Sequence, residues 1–229
     1  MSARSRQQPG PNAWALQETG GRLQLMPLQA TRISPLQLNW DGAELSRRLG
    51  GLRRQTLIRA VGLHKQRDLS VVDCTAGLGR DSLSLAAAGA RVRAHERKPL
   101  LLAMLQHEYA RLQAGRQPPE YLARLMIAGG DARGTLQPNS CDVVYLDPMY
   151  PEDRRHALAA MPMQLLRAIC DADSDAHELL PLALAAAAKR VVVKRPRRAA
   201  ALAGATPNLT MQGKQARFDI YLTGGRATP

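Results

Sequence analysis

Residues 69–81 read LSVVDCTAGLGRD, and the rest of the chain is organised around them. A short apolar run, Leu69, Val71 and Val72, ends in an acid, Asp73. A glycine turn follows, Gly77-Leu78-Gly79, and then a helix-like run, SLSLAAAG, from Ser82 to Gly89. Strand, glycine loop and helix make the opening βα unit of a nucleotide-type α/β fold. Without Cβ atoms, the glycines let the loop backbone approach a bound cofactor closely. The alternative is a tight βα turn with no ligand.

Two cofactor classes compete for this loop. A dinucleotide site wants G-x-G-x-x-G, with pyrophosphate resting on the helix N-terminus. Here the residue three after Gly79 is Ser82, and Asp81 sits where the helix begins. That is a good place for an acid facing the helix dipole and a poor one if a pyrophosphate must share it. S-adenosylmethionine (SAM) has no phosphate and carries an ammonium and a sulfonium. Acids such as Asp73 and Asp81 therefore favour SAM over a nicotinamide dinucleotide.

The chain has 229 residues, a formal net charge of +13 and a pI of about 10.6. Its length suffices for one large domain with a small appendage. Its charge points to an anionic partner, with nucleic acid the leading candidate. Aromatic residues make up only 3%, too few for a stacking platform along single strands. Cys74, Cys141 and Cys170 are scattered, which reads as reduced thiols and not as a zinc site. No metal-ligand cluster, membrane-length apolar run or signal-type segment occurs, so a soluble, cytoplasmic protein without metal is expected.

Residues 1–12 are polar and rich in Pro, Gly and Arg, and read as a disordered tail. Residues 13–67 read as a small basic domain. Trp14 to Leu28 carries a hairpin pattern around Gly20-Gly21, a second short strand fits Leu36 to Trp40, and a helical stretch over 44–62 is split by Gly50-Gly51. Between residues 1 and 67, eleven Lys or Arg face three acids, Glu18, Asp41 and Glu44. Arg47, Arg48, Arg53 and Arg54 flank the glycine break, where a flexible basic loop meets RNA phosphates or, equally well, forms a solvated helix face.

Residues 68–229 read as the main domain. Val92 to His95 is a second strand, stopped by Glu96, an acid placed to bond ribose hydroxyls. Pro99 opens a long helix. Leu125 to Ala128 is a third strand, followed by Gly130 and Asp131, an acid suited to the adenine amino group or to an ordinary turn. Helices are expected over 157–170 and 176–188. Lys189 to Lys194 reads as a buried strand leading into Arg195-Pro196-Arg197-Arg198. Lys194, Arg195, Arg197 and Arg198 thus form a second basic cluster, at the carboxyl edge of the sheet where ligands bind. Leu209–Gln212 and Arg217–Leu222 form a closing antiparallel hairpin.

The second chemical signal follows the fourth strand, DVVYL over 142–146, which runs into Asp147-Pro148-Met149-Tyr150. The pattern D/N-P-P-Y/F at this point marks enzymes that methylate an exocyclic amino group, and here Met149 replaces the second proline. An aryl amine is a weak nucleophile because its lone pair is delocalised into the ring. A carboxylate accepting its N–H bonds, beside a rigid Pro148 backbone carbonyl, favours a more nucleophilic geometry. Tyr150 is suited to stack on the base.

Together DCTAGLGRDSLSLA, HERKPLLLAML, DVVYLDPMYP, KRVVVKRP and RFDIYL resemble the bacterial 16S ribosomal RNA guanine-N2 methyltransferases of the RsmJ type. The resemblance covers residues 36 to 222. It implies a class I SAM-dependent methyltransferase fold, Rossmann-like, with a mostly parallel sheet. It further implies methylation of the guanine at position 1516 in RNA of the small ribosomal subunit. Carried over by motif, SAM contacts fall on Arg80, Asp81, Glu96, Arg97, Gly130, Asp131 and Asp147. Three alternatives stay open: amine methylation of adenine N6 or a protein glutamine, a nicotinamide oxidoreductase, and a non-catalytic ribosome-binding factor.

Overall fold

The structure is a computed structural model that describes residues 14–28, 34–149 and 175–224. Tyr150, His156, Cys170, the tail and the helix expected over 157–170 lie outside the described residues.

The N-terminal part is a three-stranded antiparallel sheet in the order β1 (Trp14–Thr19), β2 (Arg22–Pro27), β3 (Leu36–Gln37). Gly20 and Gly21 both take positive φ at the hairpin turn, as their lack of Cβ permits. The basic helical stretch is indeed broken. Helix α1 (Ala43–Leu49) ends at Gly50, a 3-10 turn spans Leu52–Arg54, and α2 is Thr56–Val61. Gly62, left-handed at φ +98, stops α2.

A seven-stranded sheet follows, built from β4 (Ser70–Asp73), β5 (Arg91–Glu96), β6 (Leu125–Gly129), β7 (Cys141–Leu146), β8 (Ala187–Pro196), β9 (Leu209–Gln212) and β10 (Ala216–Leu222). Its order is β6-β5-β4-β7-β8-β10-β9. The first five are parallel, and β10 pairs antiparallel with both β8 and β9. Helices α3 (Arg80–Ala87), α4 (Pro99–Gln113) and α5 (Ala176–Ala186) connect the strands. The strand order reverses between β4 and β7, so the ligand crevice of this topology opens at their carboxyl ends. Asp73 and Asp147 stand there.

Strand alternation sorts the interior into two layers. Val71, Val143, Tyr145, Val192 and Ile220 face one side, with α2, α3, α4 and the N-terminal sheet. Val72, Val144, Leu146, Val191 and Val193 face the other, with α5. Trp14, Leu25 and Trp40 belong to the same apolar cluster as Leu83, Leu101 and Leu105, so residues 13–67 and 68–229 share a core. The junction is also ionic. Glu108 of α4, nearly fully buried, accepts from Arg22 Nη1 at 2.8 Å, from Arg111 Nε at 2.7 Å and from the Trp40 backbone N–H at 3.0 Å. Arg22 and Arg111 also grip Asp41, at 2.6 and 2.8 Å, and outweigh its partial burial to hold its carboxyl below the usual range.

The described part of strand β8 is longer than the sequence pattern suggests. Pairing with β10 carries it through Pro196, with Arg195 opposite Arg217. Arg195 is therefore a strand residue, not a loop residue.

Candidate active site

The glycine loop is positioned by carboxylates that reach back from two strand ends. Asp73, buried at the end of β4, accepts from the Thr75 backbone N–H at 3.0 Å and from the Ser82 hydroxyl. Burial pushes its carboxyl up to about 7, against these bonds, with Asp81 and Asp147 adding to the rise. Glu96, buried at the end of β5, accepts from the backbone N–H of Gly77 at 2.8 Å and of Lys98 at 2.8 Å. Glu96 thus ties the glycine loop to the second strand.

The two loop glycines serve different ends. Both have positive φ, +56 at Gly77 and +75 at Gly79. A Cβ on Gly77 would meet nothing closer than the Thr75 carbonyl at 3.9 Å. A Cβ on Gly79 would lie 2.5 Å from the Trp40 ring and 3.1 Å from Leu105. The indole also donates to the Leu78 carbonyl at 3.1 Å. Gly79 is thus glycine to admit a side chain of the N-terminal part.

A chain of alternating charges crosses the carboxyl edge. Asp147, just past β7, accepts from Lys194 Nζ at 2.7 Å, and its backbone N–H donates to the Thr75 hydroxyl at 2.6 Å. The same Lys194 ammonium donates to Asp81 Oδ2 at 2.9 Å. That oxygen also accepts from the Tyr145 hydroxyl at 2.6 Å. On its other oxygen Asp81 is paired with Arg48, whose Nε reaches the Ser84 hydroxyl at 2.9 Å. For Asp81, burial is outweighed by Lys194, Arg48 and Tyr145, and its carboxyl sits below the usual range. For Asp147, burial and the neighbouring Asp81 prevail over Lys194, and its carboxyl sits above it. Burial opposes the Lys194 ammonium, yet Asp147 and Asp81 hold it above its ordinary value. Burial and the same acids keep Tyr145 a phenol.

These contacts correct two assignments. Lys194 and Arg48, grouped by sequence with RNA phosphate contacts, have side chains engaged with acids: Lys194 with Asp147 and Asp81, Arg48 with Asp81. Only half of the Lys194 signal was local: alternation puts Val192 and Lys194 on one face of β8 and lets Asp147, just past β7, continue the face of Tyr145, whereas the pairing of the two strands is legible in neither alone. The register sets Tyr145 beside Val192 and so leads to Asp147 beside Lys194. Arg195 is also corrected. Its side chain turns to the opposite face, is buried and donates to the Ala200 carbonyl, which removes it from any phosphate-facing surface.

At the carboxyl ends of β5 and β6 a second ionic group forms. Asp131 accepts from Arg133 through its backbone N–H at 2.9 Å and its guanidinium at 2.6 Å, and these bonds hold its carboxyl below the usual range. Arg97 pairs with Asp175 at 2.7 Å and stands 4.0 Å from Asp131. Gly130 takes φ +91, its N–H donates to the Glu96 carbonyl at 3.2 Å, and nothing lies within 4 Å of where a Cβ would be. Arg80 is exposed and paired with Glu44 of α1 at 3.1 Å.

The remaining basic residues gather at one corner. The β9–β10 turn abuts α2, with the Gly213 Cβ position 3.5 Å from the Thr56 hydroxyl, next to exposed Arg54. Ala216 pairs with Pro196, and Arg217 holds the following loop by donating to the carbonyls of Arg197 at 3.1 Å and Ala199 at 2.6 Å. Arg197, Arg198 and Lys214 are exposed there. The side chain of Arg53 lies outside the described set.

Residues 5–223 match the family model described as a putative SAM-dependent methyltransferase. The chain is 40% identical over 227 residues to the ribosomal RNA small subunit methyltransferase J of Halorhodospira halophila, covering 96% of this chain and 84% of that one. It is 41% identical over 196 residues to the protein of the same name from Thioalkalivibrio sulfidiphilus, covering 83% and 77%. The chain belongs to the ribosomal RNA small subunit methyltransferase J family. A crystal structure of a SAM-dependent methyltransferase from Neisseria gonorrhoeae matches with a TM-score of 0.72 at 29% identity, covering 97% of this chain and 88% of that one.

As a member of the methyltransferase J family the protein uses SAM, and its crevice fits that cofactor. Acids at the ends of β4, β5 and β7 suit a ligand with two cationic centres and no phosphate. Beside the Glu96 strand end, a Cβ on Gly77 would meet nothing closer than 3.9 Å and one on Gly130 nothing within 4 Å, so neither backbone is covered by a side chain there. No group of three or more His, Cys, Asp or Glu among the described residues is arranged to hold a metal. No described helix is long and apolar enough to cross a membrane.

Proposed function

We propose that the protein transfers the methyl group of SAM to the exocyclic N2 amine of a guanine in 16S ribosomal RNA of the small subunit. The observation that carries this reading is Asp147. It sits at the carboxyl end of β7 before buried Pro148, one oxygen on Lys194 and the other without a hydrogen bond among the described residues. The relatives' shared name supplies the substrate class.

The cofactor supplies a methyl group on a sulfonium centre. Glu96 is assigned to its ribose, Asp131 and Gly130 to its adenine, and Asp73, Gly77, Asp81, Arg80 and Arg97 to the walls around its amino-acid end. Asp147 accepts an N–H of the guanine amine, which draws the lone pair toward the reacting face, and takes up the proton the amine sheds once methylated. The Pro148 carbonyl and Tyr150 complete the base site. Arg54, Arg197, Arg198 and Lys214 contact RNA phosphates.

Incubation with tritiated SAM and either small-subunit particles or stripped 16S RNA, followed by digestion and mapping of the labelled nucleoside, tests the reading. N2-methylguanosine is expected. Label on adenine, or on a ribosomal protein, would replace the substrate assignment while keeping the chemistry. No label on any component would remove both.

A further inference from the structure

The alternating charges Arg48, Asp81, Lys194 and Asp147 link four elements, α1, α3, β8 and the end of β7, across the proposed base site. Lys194 is the shared member, 2.9 Å from Asp81 Oδ2 and 2.7 Å from Asp147 Oδ2. A surface lysine reaching for phosphate directs its three donors to solvent and ligand. This one has two committed to carboxylates on opposite sides. Arg48 holds Asp81 from the far side, and the Tyr145 hydroxyl fixes the Asp81 oxygen that Lys194 shares.

We propose that Lys194 is a positioning residue for methyl transfer: its ammonium, bridged between Asp81 and Asp147, turns the remaining Asp147 oxygen toward the methyl-accepting amine. The inference rests on the assignment of Asp147 to that amine. Without Lys194, Asp147 and Asp81 would be two carboxylates facing each other with, among the described residues, Arg48 and Tyr145 beside them and Asp73 of β4 nearby. Asp147 would then swing away or take a proton, and a protonated carboxyl can no longer take up the proton that the amine sheds. Arg48 makes the bridge depend on the docked N-terminal part, because it anchors the Asp81 end.

The test compares Lys194→Met and Lys194→Arg, with tritium incorporation into small-subunit RNA measured across pH at saturating SAM and RNA. Lys194→Met is expected to lower kcat by about 10- to 100-fold. It should also move the acid limb of the kcat profile upward by about 1–3 pH units, the usual effect of losing an opposite charge beside a carboxylate. RNA affinity and its salt dependence should stay as in the wild type. Lys194→Arg retains the charge and is expected to keep the limb in place, even where kcat falls. An unmoved limb in Lys194→Met overturns the proposal. So does a loss confined to RNA affinity, which returns Lys194 to the phosphate contacts. Should Lys194→Met fail to bind SAM and prove unfolded, Lys194→Arg decides alone: a limb shifted upward in that variant overturns the bridge. Mapping the labelled base separates the two readings. Another modified nucleoside changes the substrate, while the pH comparison still reads Lys194.

Discussion

The indole of Trp40 fills the space that a Cβ on Gly79 would need, 2.5 Å from ring carbon to that position. Gly79→Ala therefore combines a clash with backbone strain at φ +75, whereas Gly77→Ala brings strain at φ +56 without a clash. A left-handed alanine costs roughly 1–2 kcal/mol. Gly77→Ala should lose about that much stability in urea unfolding, and Gly79→Ala clearly more. Equal losses would show that Trp40 yields without cost and is not held by the loop.

Asp147→Asn keeps the shape of the side chain and one acceptor oxygen but removes the charge. At saturating SAM, kcat should fall by about 10²–10⁴-fold, the range for a positioned proton-accepting group. RNA should still bind, because phosphate contacts carry most of that affinity. Wild-type turnover would reduce Asp147 to a strand-end residue.

Asp73 gives a pH signature of opposite sign to an ordinary salt-bridged acid. Its folded value, pushed up to about 7, lies above the roughly 3.9 of an unfolded chain. The stability it contributes is thus complete below about pH 4 and lost as pH rises through about 7. Asp73→Asn removes this dependence. The difference in melting temperature between variant and wild type should shift in favour of the variant from pH 5 to pH 8. A cationic ligand should also draw the proton off Asp73, so calorimetry of SAM binding near pH 7 in two buffers should report proton release in the wild type and none in the variant. Identical profiles would take Asp73 out of the titrating groups.

The basic corner separates by burial. Arg197→Ala with Arg198→Ala should flatten the log–log salt dependence of RNA binding, by roughly 0.7–0.9 for each phosphate left without its arginine, with SAM affinity retained. Arg195→Ala should instead lower thermal stability, because its buried guanidinium donates to the Ala200 carbonyl. A salt slope unchanged in the first variant would place those two arginines in solvent.

The fold was readable because its signals are local. Val191-Val192-Val193, the Gly20-Gly21 turn, Pro99 at the head of α4 and the glycines after β4 each fix their own element. The acids at strand ends were readable for the same reason, since a strand that stops at Asp73, Glu96 or Asp147 announces its carboxyl edge. What was not readable depends on pairing between elements. Arg48 and Asp81 are 33 residues apart, and nothing near either names the other. Their basic and acidic characters were visible, but basic residues beside a glycine break read equally well as phosphate contacts. The extension of β8 through Arg195 follows from its register with β10, and register is a property of two strands, not of either alone.

The Arg22–Glu108 bond has a consequence for how the chain is made. Its two ends are separated by 86 residues. At roughly 5–20 residues per second, the ribosome would finish Glu108 about 4–17 s after Arg22. During that interval the first sheet has left the tunnel without Leu101, Leu105 and Glu108, the partners that cover Leu25 and Trp40. A sheet made early is thus among the last parts to be completed, and it must wait, its apolar face uncovered, beside a particle made largely of RNA.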